Sequence, residues 1–368
     1  MYFAIVLLLL FFTLSYYLVI NSRVFGRLPR GARLEKIKQL PIYADGAINN
    51  ITFTGVTSEG FGYWDVIKAM IKGNPNNKPP GELPHVKPDF TSAAGTKITW
   101  FGHSSYLLQI DQLKVLVDPV FSRSTSPFTF IGNSSYKGTD FIHAADLPEI
   151  DVLLISHDHY DHLDIQTIDA LKSKVKHFVT SLGVGEHLER WGITSDRITE
   201  LSWGEKAVVS GLTFTAAGAR HFSGRSFKRN QSLWSSFVLQ TPQHKLYLGG
   251  DSGYDTHFAE IGEKYGPFDL AIIECGQYNP MWSHIHLFPE ETVQVAKELK
   301  ADWLLPVHWG KFSLALHDWD DSILRVTAEA AKQQQKITTP LMGETIILGS
   351  HYPQKHWWLE VKNKSGRD

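Results

Sequence analysis

Cysteine is nearly absent: one residue, Cys275, in a chain of 368. It cannot form an internal disulfide, which fits a reducing compartment. Its setting, Ile272-Ile273-Glu274-Cys275-Gly276, reads as the end of a buried strand and predicts a packed thiol rather than a nucleophile. An excess of one charge is also missing. Lys and Arg number 36 against 38 Asp and Glu, a net charge of −2, so nothing points to nucleic acid as the main partner. There is no internal repeat of fixed period, no long low-complexity tract, and no Ser-His-Asp arrangement that competes for a catalytic role. Residues 2–20 lack charged side chains altogether.

That uncharged run is rich in Leu, Phe, Val and Tyr, and at the helical rise it spans roughly the 30 Å of a bilayer core. No Lys or Arg precedes it and no small-x-small site follows, so an anchor is expected over a cleaved signal peptide. Arg23, Arg27, Arg30, Arg33, Lys36 and Lys38 come next, opposed only by Glu35. By the positive-inside rule this flank stays cytoplasmic, which predicts a single-pass protein of a bacterial inner membrane with its catalytic domain in the cytoplasm. The flank is also placed to meet anionic lipid head groups. The expected organisation is a transmembrane anchor at 1–22, then a basic juxtamembrane segment, arm and linker at 23–96. A catalytic domain at 97–350 and a C-terminal tail at 351–368 complete it. Within the second part, residues 64–70 suggest a short helix and Gly73–Gly81 a linker or wrapping arm.

The richest stretch is His157-Asp158-His159-Tyr160-Asp161-His162. It follows the apolar run Val152-Leu153-Leu154-Ile155, which reads as a buried strand, so its side chains sit where catalytic loops collect in layered α/β proteins. Imidazole nitrogens and carboxylate oxygens suit Zn²⁺ and similar ions, and Mn²⁺ or Fe²⁺ would also be accepted. His157 and His159 can point one way while Asp161 and His162, turned by the loop, serve a second metal. Three further candidates lie near later predicted strand ends: His221, Asp251 and His308.

From residue 97 the pattern is regular. Ile98–Ile110 and Leu113–Val120 read as a hairpin turning at Asp111-Gln112. Strands are expected at 177–180, 206–216, 233–241, 244–249, 269–274, 302–307 and 345–348. Helices are expected at 164–173, 183–191, 255–264, 289–299 and 320–335. Mixed strands and helices in this order imply two sheets covered by helices.

The spacing His-x-His-x-Asp-His resembles the signature of the metallo-β-lactamase superfamily. Within it, the stretches 99–105, 117–122, 156–164, 250–254, 265–271, 286–291 and 308–310 resemble N-acylphosphatidylethanolamine phospholipase D. Related bacterial hydrolases, sugar-phosphate lactonases among them, share part of the pattern. One departure is Ile285, where the mammalian lipase has glutamine. The resemblance implies an α/β (α+β) fold, a four-layer αββα sandwich with metals at one edge between the sheets. It implies that His157, His159 and His221 bind one zinc, Asp161, His162 and His308 a second, and that Asp251 bridges them. Water activated between the ions would attack phosphorus, making Asp161 and Asp251 catalytic. His286 would orient the phosphate or protonate the leaving group. Asp118 would fix a ligand imidazole from behind, with His103 in support.

Tyr160, Tyr278 and Trp282 are expected in the substrate pocket. Phe121, Phe128, Phe130, Tyr136, Met281 and Phe288 are candidates for a greasy rim that admits acyl chains. The expected partners are a phospholipid substrate and the bilayer, and the family resemblance adds a possible dimer. The expected activity is zinc-dependent hydrolysis of a phosphodiester, N-acylphosphatidylethanolamine first. Lactone or ester hydrolysis on the same two metals is the alternative enzyme. A membrane-tethered metal-binding protein without turnover is the non-enzymatic one.

Overall fold

The computed structural model describes Thr13 and residues 21–90, 95–128 and 133–365, with side chains described to residue 361. Among the described residues no helix is long and apolar enough to cross a membrane. The span expected at 2–20 lies, Thr13 apart, outside them, as does Phe130.

The chain enters through helix α1 (Gly31–Lys38), a two-residue hairpin of β1 (Tyr43–Ala44) and β2 (Ala47–Ile48), and helix α2 (Tyr63–Lys72). The first large sheet uses β3 (Thr96–Trp100), β4 (Tyr106–Ile110), β5 (Leu113–Val117), β6 (Ile150–Ile155), β7 (Val175–Ser181) and β8 (Ile198–Leu201). The second uses β9 (Lys206–Val209), β10 (Leu212–Ala217), β11 (Ser236–Gln240), β12 (Lys245–Leu248), β13 (Phe268–Glu274), β14 (Ala301–Val307) and β15 (Lys336–Ile337). The last strand, β16 (Thr345–Ile347), returns to the first sheet beside β3. Each sheet has seven strands and the same plan, an antiparallel meander continued by parallel strands. The expected strand at 98–110 is two strands, because Gly102 and His103 both take positive φ and turn the chain back between them. The expected strand at 206–216 is likewise two, split at Ser210-Gly211, also at positive φ.

Burial on both faces explains the continuous apolar run of β6. Val152 and Leu154 enter the core shared with Phe214, Phe237 and Leu270 of the second sheet. Leu153 and Ile155 pack the other way, against Ile168 and Leu171 of α3 (Ile165–Leu171) and Leu188 of α4 (Gly185–Arg190). On the far side Val293 and Ala296 of α6 (Pro289–Glu298) and Ile323 and Val326 of α7 (Asp321–Gln333) cover the second sheet, with α5 (His257–Tyr265) beside them. The expected four-layer αββα sandwich is the architecture found.

Two boundaries differ from expectation. Residues 351–368 are more than a tail: Trp357 and Trp358 are fully buried. Trp357 stacks on Trp309 (5.2 Å between centroids), and Trp309 stacks on Trp100 (5.3 Å), so this column supports the turn after β14. The basic flank at 23–38 also packs on the domain: each of its cations meets a carboxylate, while Arg23, Arg30, Lys36 and Lys38 stay exposed. Arg27, Arg30 and Arg33 converge on Glu186, whose side chain is 2% exposed. Arg33 also reaches Glu189 (2.8 Å) and Glu200, Arg23 pairs with Asp169 (3.0 Å), Lys36 with Glu205 (2.8 Å) and Lys38 with Glu35 (2.9 Å). Acids on α4 and β8 claim the charges first, and Ile37 and Ile48 bury beneath them with Leu233 and Trp234.

Candidate metal centre

Strand ends deliver the site. The loop after β6 carries His157, His159, Asp161 and His162; Asp251 follows β12 and His308 follows β14 directly, while His221 stands four residues past β10. Among the described residues three donor clusters result, the third (Asp251, Glu274, His286 and His308) overlapping the other two. In the first, His157 Nε2 and His221 Nε2 lie 3.0 and 3.2 Å from His159 Nδ1, and each lies 3.7 Å from Asp251 Oδ2. Four ligands at about 2.0–2.1 Å from one tetrahedral ion stand roughly 3.3 Å apart, so this spacing suits a single cation. In the second, Asp161 Oδ2 lies 2.9 Å from His103 Nε2, 3.3 Å from His308 Nε2 and 3.6 Å from His162 Nε2. Asp251 touches this cluster too, 3.2 Å from His162 Nε2 and 3.3 Å from His308 Nδ1. It stands between the two groups, as a bridging carboxylate must.

Charge states agree. Burial alone would raise the carboxyls of Asp161 and Asp251, but the facing imidazoles outweigh it and hold both well below the usual range. Burial and neighbouring imidazoles push His157 well down; burial outweighs the Asp251 carboxylate to do the same at His221. His162 and His308 go the other way, since Asp251 and Asp161 overcome burial there, His308 reaching about 10. Ionised acids surrounded by imidazoles that keep protons only at carboxylate contacts form a cage that wants cations. The residues present fit two divalent ions.

Supporting contacts fix the ring orientations. Asp118 accepts from the Ser156 backbone N–H (2.8 Å) and pairs with His162 Nδ1 (2.8 Å), which leaves His162 Nε2 for the site. His221 Nδ1 is held by the Ile285 carbonyl (2.8 Å). His103, expected only as support, places Nε2 among the donor atoms of the second cluster. His103, Asp118 and His308 all adopt positive φ, backbone that costs roughly 1–3 kcal/mol for such residues and collects at functional sites. Gly276 is required for close approach, since a Cβ there would stand 1.7 Å from the His308 carbonyl oxygen.

A cavity of about 420 Å³ opens onto His159, Asp161, His221, Asp251 and His308. His286 lines it, its Nδ1 on Glu274 (2.8 Å). Trp282 lines it as expected. Tyr160 and Tyr278 do not. The Tyr160 hydroxyl donates to the Arg225 carbonyl (2.6 Å) beneath that residue's guanidinium, and Tyr278 turns to Asp321 and stacks on His317. The proposed rim is corrected likewise. Tyr136 and Met281 are buried, Phe121 packs on Phe101, Phe128 on Phe25 and Phe288 on Tyr278. The apolar wall comes instead from the arm: Val56, Tyr63, Val66 and Met70, with Leu314 opposite.

Sequence reasoning missed several partners. Glu274, 1% exposed, binds His286, His308 (3.2 Å) and the Ser252 N–H (2.6 Å); an acid closing an apolar strand was its signal. Asn50 exchanges two hydrogen bonds with the His221 backbone (2.7 and 3.1 Å). Asp158, held low against burial chiefly by His187, ties the ligand loop to that histidine (3.2 Å), whose Nδ1 accepts the Arg27 backbone N–H (3.0 Å). Nothing in the linear sequence marks Asn50 or His187.

Fold and donor set together define a metal-dependent hydrolase built on an αββα sandwich. Residues 114–309 match the family described as Beta-lactamase superfamily domain, and the chain belongs to it. It is 38% identical over 328 residues to an uncharacterized protein of Mycobacterium tuberculosis, covering 87% of this chain and 88% of that one. It is 37% identical over 246 residues to N-acyl-phosphatidylethanolamine-hydrolyzing phospholipase D 1 of Caenorhabditis elegans, covering 63% of this chain and 68% of the relative. Among solved structures, a metallo hydrolase of the archaeon Ignicoccus hospitalis superposes with a TM-score of 0.53 at 19% identity, over 68% of this chain and 97% of that one.

Proposed function

We propose that this protein is a zinc phosphodiesterase of the phospholipase D type, acting on N-acylphosphatidylethanolamine from a membrane to which residues 2–20 tether it, with the catalytic domain on the cytoplasmic side. The observation that carries the reading is the cavity: metal donors at its floor, Val56, Val66, Met70 and Trp282 on its walls, and Arg229 at its lining. A volume of about 420 Å³ suits a head group and its phosphate; acyl chains would have to extend out along the arm. The similarity to the Caenorhabditis elegans phospholipase D supports the same substrate.

His157, His159, His221 and Asp251 would hold one ion, and Asp161, His162, His308 and Asp251 the other, with His103 beside them. Divalent ions bound there supply Lewis-acid polarisation of the phosphoryl group and a water acidified to near neutral pH. The protein's own groups do the rest. Arg229 attracts the anionic phosphodiester into the cavity. His286, its Nδ1 on Glu274, lines the cavity, where it can hand a proton to the departing N-acylethanolamine alkoxide. The arm keeps bulk water from the other side.

The test is direct. Zinc-loaded protein is mixed with N-acylphosphatidylethanolamine in detergent micelles, and mass spectrometry follows both products, with Asp161→Ala and Asp251→Ala proteins as controls. N-acylethanolamine and phosphatidic acid that appear only with the intact site bear the reading out. Bound metal with an untouched lipid sinks the substrate claim and moves lactones and soluble phosphodiesters to the front.

A further inference from the structure

The arm shows the cavity one face and solvent another. On α2, Tyr63, Val66 and Met70 recur at i, i+3 and i+7 and line the cavity. Shifted by one position, Trp64, Ile67 and Ile71 form a second stripe, 72%, 41% and 82% exposed. Lys68 and Lys72, also exposed, form a third. The helix is well made, with the Gly62 N–H on Asp65 Oδ2 (2.8 Å) and Gly73 at positive φ stopping it, so the exposure is not fraying. Phe53, just before it in the arm, is 89% exposed. Contiguous exposed apolar surface of this kind marks an interaction site.

A second element borders the same cavity. Arg229 and Asn230 line it, and the loop they close carries Lys228 and Phe227, the latter 84% exposed. Arg225 of this loop binds the Val24 carbonyl through Nε (3.3 Å) and Nη2 (2.9 Å). Val24, four residues past the uncharged run, therefore contacts the loop that carries Phe227. Exposed apolar side chains flanked by lysine and arginine, on two elements that border one cavity, are complementary to one occupant.

We propose that α2 and the 224–230 loop together form the face that seats on an anionic phospholipid bilayer, with Trp64, Ile67, Ile71 and Phe227 entering the acyl boundary and Lys68, Lys72 and Lys228 meeting the head groups. The cavity mouth then opens at the bilayer surface, and lipid reaches the metals along Tyr63, Val66 and Met70 without crossing water. The purpose of this face rests on the lipid-hydrolase reading; its existence does not.

Because Cys275 is buried, a second cysteine takes a nitroxide label selectively. Full-length, metal-loaded protein labelled at Ile71→Cys, Phe227→Cys or, as control, Val208→Cys (71% exposed on β9) is reconstituted into phosphatidylcholine–phosphatidylglycerol vesicles. The expected result is that labels at 71 and 227 relax with oxygen and not with a water-soluble nickel chelate, the ratio at least about tenfold above that at 208. Chelate access at 71 and 227 equal to that at 208 overturns the proposal. So does dipolar broadening between labels at 71 without lipid, since the occupant is then a second copy of the chain. A Trp64→Ser, Ile67→Ser, Ile71→Ser protein should lose about tenfold in hydrolysis of vesicle-borne lipid and keep its rate on a soluble phosphodiester. Equal loss on both overturns the proposal. Labels shielded by lipid in a protein that leaves N-acylphosphatidylethanolamine uncut retain the docking face and reject the substrate.

Discussion

Two walls enclose the cavity, and they are made differently. The metal wall hangs from the sandwich itself: His157 through His162 follow β6, Asp251 follows β12 and His308 follows β14, each at the end of a strand buried on both faces. The opposite wall hangs from the arm, residues 50–70, which joins neither large sheet. It is held by three straps: the side chains of Asn50 on His221 and of Arg220 on Thr54 Oγ1 (2.9 Å) and the Phe53 carbonyl (2.9 Å), and a backbone bond from the Ser58 N–H to the Met281 carbonyl (2.8 Å). The rigid wall positions donor atoms to a few tenths of an ångström, which bond making requires. The strapped wall positions apolar surface, which tolerates more play. Donor atoms sit on the first and apolar surface on the second.

The division is broken most forcefully from the metal side. Asp251→Asn removes the bridging charge and should lower turnover by about a hundredfold to a thousandfold, the scale of losing charge stabilisation at a reacting centre. Metal content by mass spectrometry should fall with it. Full activity with one ion per chain would deny Asp251 its bridging place. From the arm side the largest effect should be on stability. Glu186 is 2% exposed and meets three arginines, so Glu186→Ala removes the carboxylate they share and leaves Arg33 only Glu189 and Glu200. A buried partner lost costs about 3–5 kcal/mol; with Arg27 and Arg30 partly in water, about 2–3 kcal/mol is expected. A lowered melting temperature with unchanged metal content is the expected pair of readings. An unchanged melting temperature would mean that the arm's entry is draped on the sandwich rather than locked to it.

The same contrast decides what the sequence disclosed. Metal ligands need fixed residue types at fixed spacings, and strand ends carry recognisable apolar runs, so the donors that the fold gathers, His157, His159, Asp161, His162, His221, Asp251 and His308, could be named in advance. Element positions in the sandwich followed for the same reason. The arm has no such grammar. Trp64 to Met70 announced a short helix, but not that Val66 and Met70 would face a cavity walled by Asp251. Tyr160 and Tyr278 were placed in the pocket because aromatics near a ligand loop suggest one. Their hydroxyls instead found Arg225 and Asp321, contacts that only the assembled fold supplies. The basic flank did not announce Glu186 either, since a row of arginines looks alike whether it meets lipid or a carboxylate.

A finer test stays within the metal wall. Asp118→Asn keeps the shape but loses the charge that holds His162 Nδ1, and should weaken metal affinity about 10–100-fold in competition with a chelator. Protons compete for the same atoms. His308 is lowered by burial but raised more by Asp251, with Asp161 and Glu274, to about 10, so near neutral pH it must shed a proton to accept an ion. Affinity should therefore strengthen as pH rises toward about 10 and weaken by up to about tenfold per unit for each proton displaced. Chelator titrations at two pH values check the sign; a flat profile would mean that His308 enters binding already neutral.

The smallest expected effect is the one that isolates the arm. Met70→Ala and Val66→Ala trim the cavity wall without touching a strap or a donor atom. Removing two or three methylene-sized groups from a partly exposed wall should forfeit about 1 kcal/mol of contact. If the wall holds the substrate's apolar part equally before and during reaction, that loss appears as a rise in KM of about threefold to tenfold with kcat kept. Steady-state kinetics on the lipid and on a short soluble phosphodiester separate the outcomes. A KM change for the lipid alone assigns the arm to chain recognition. An equal fall in kcat on both would mean that α2 also steadies the donor atoms opposite it, through Asn50 and His221, and that the two walls are one machine.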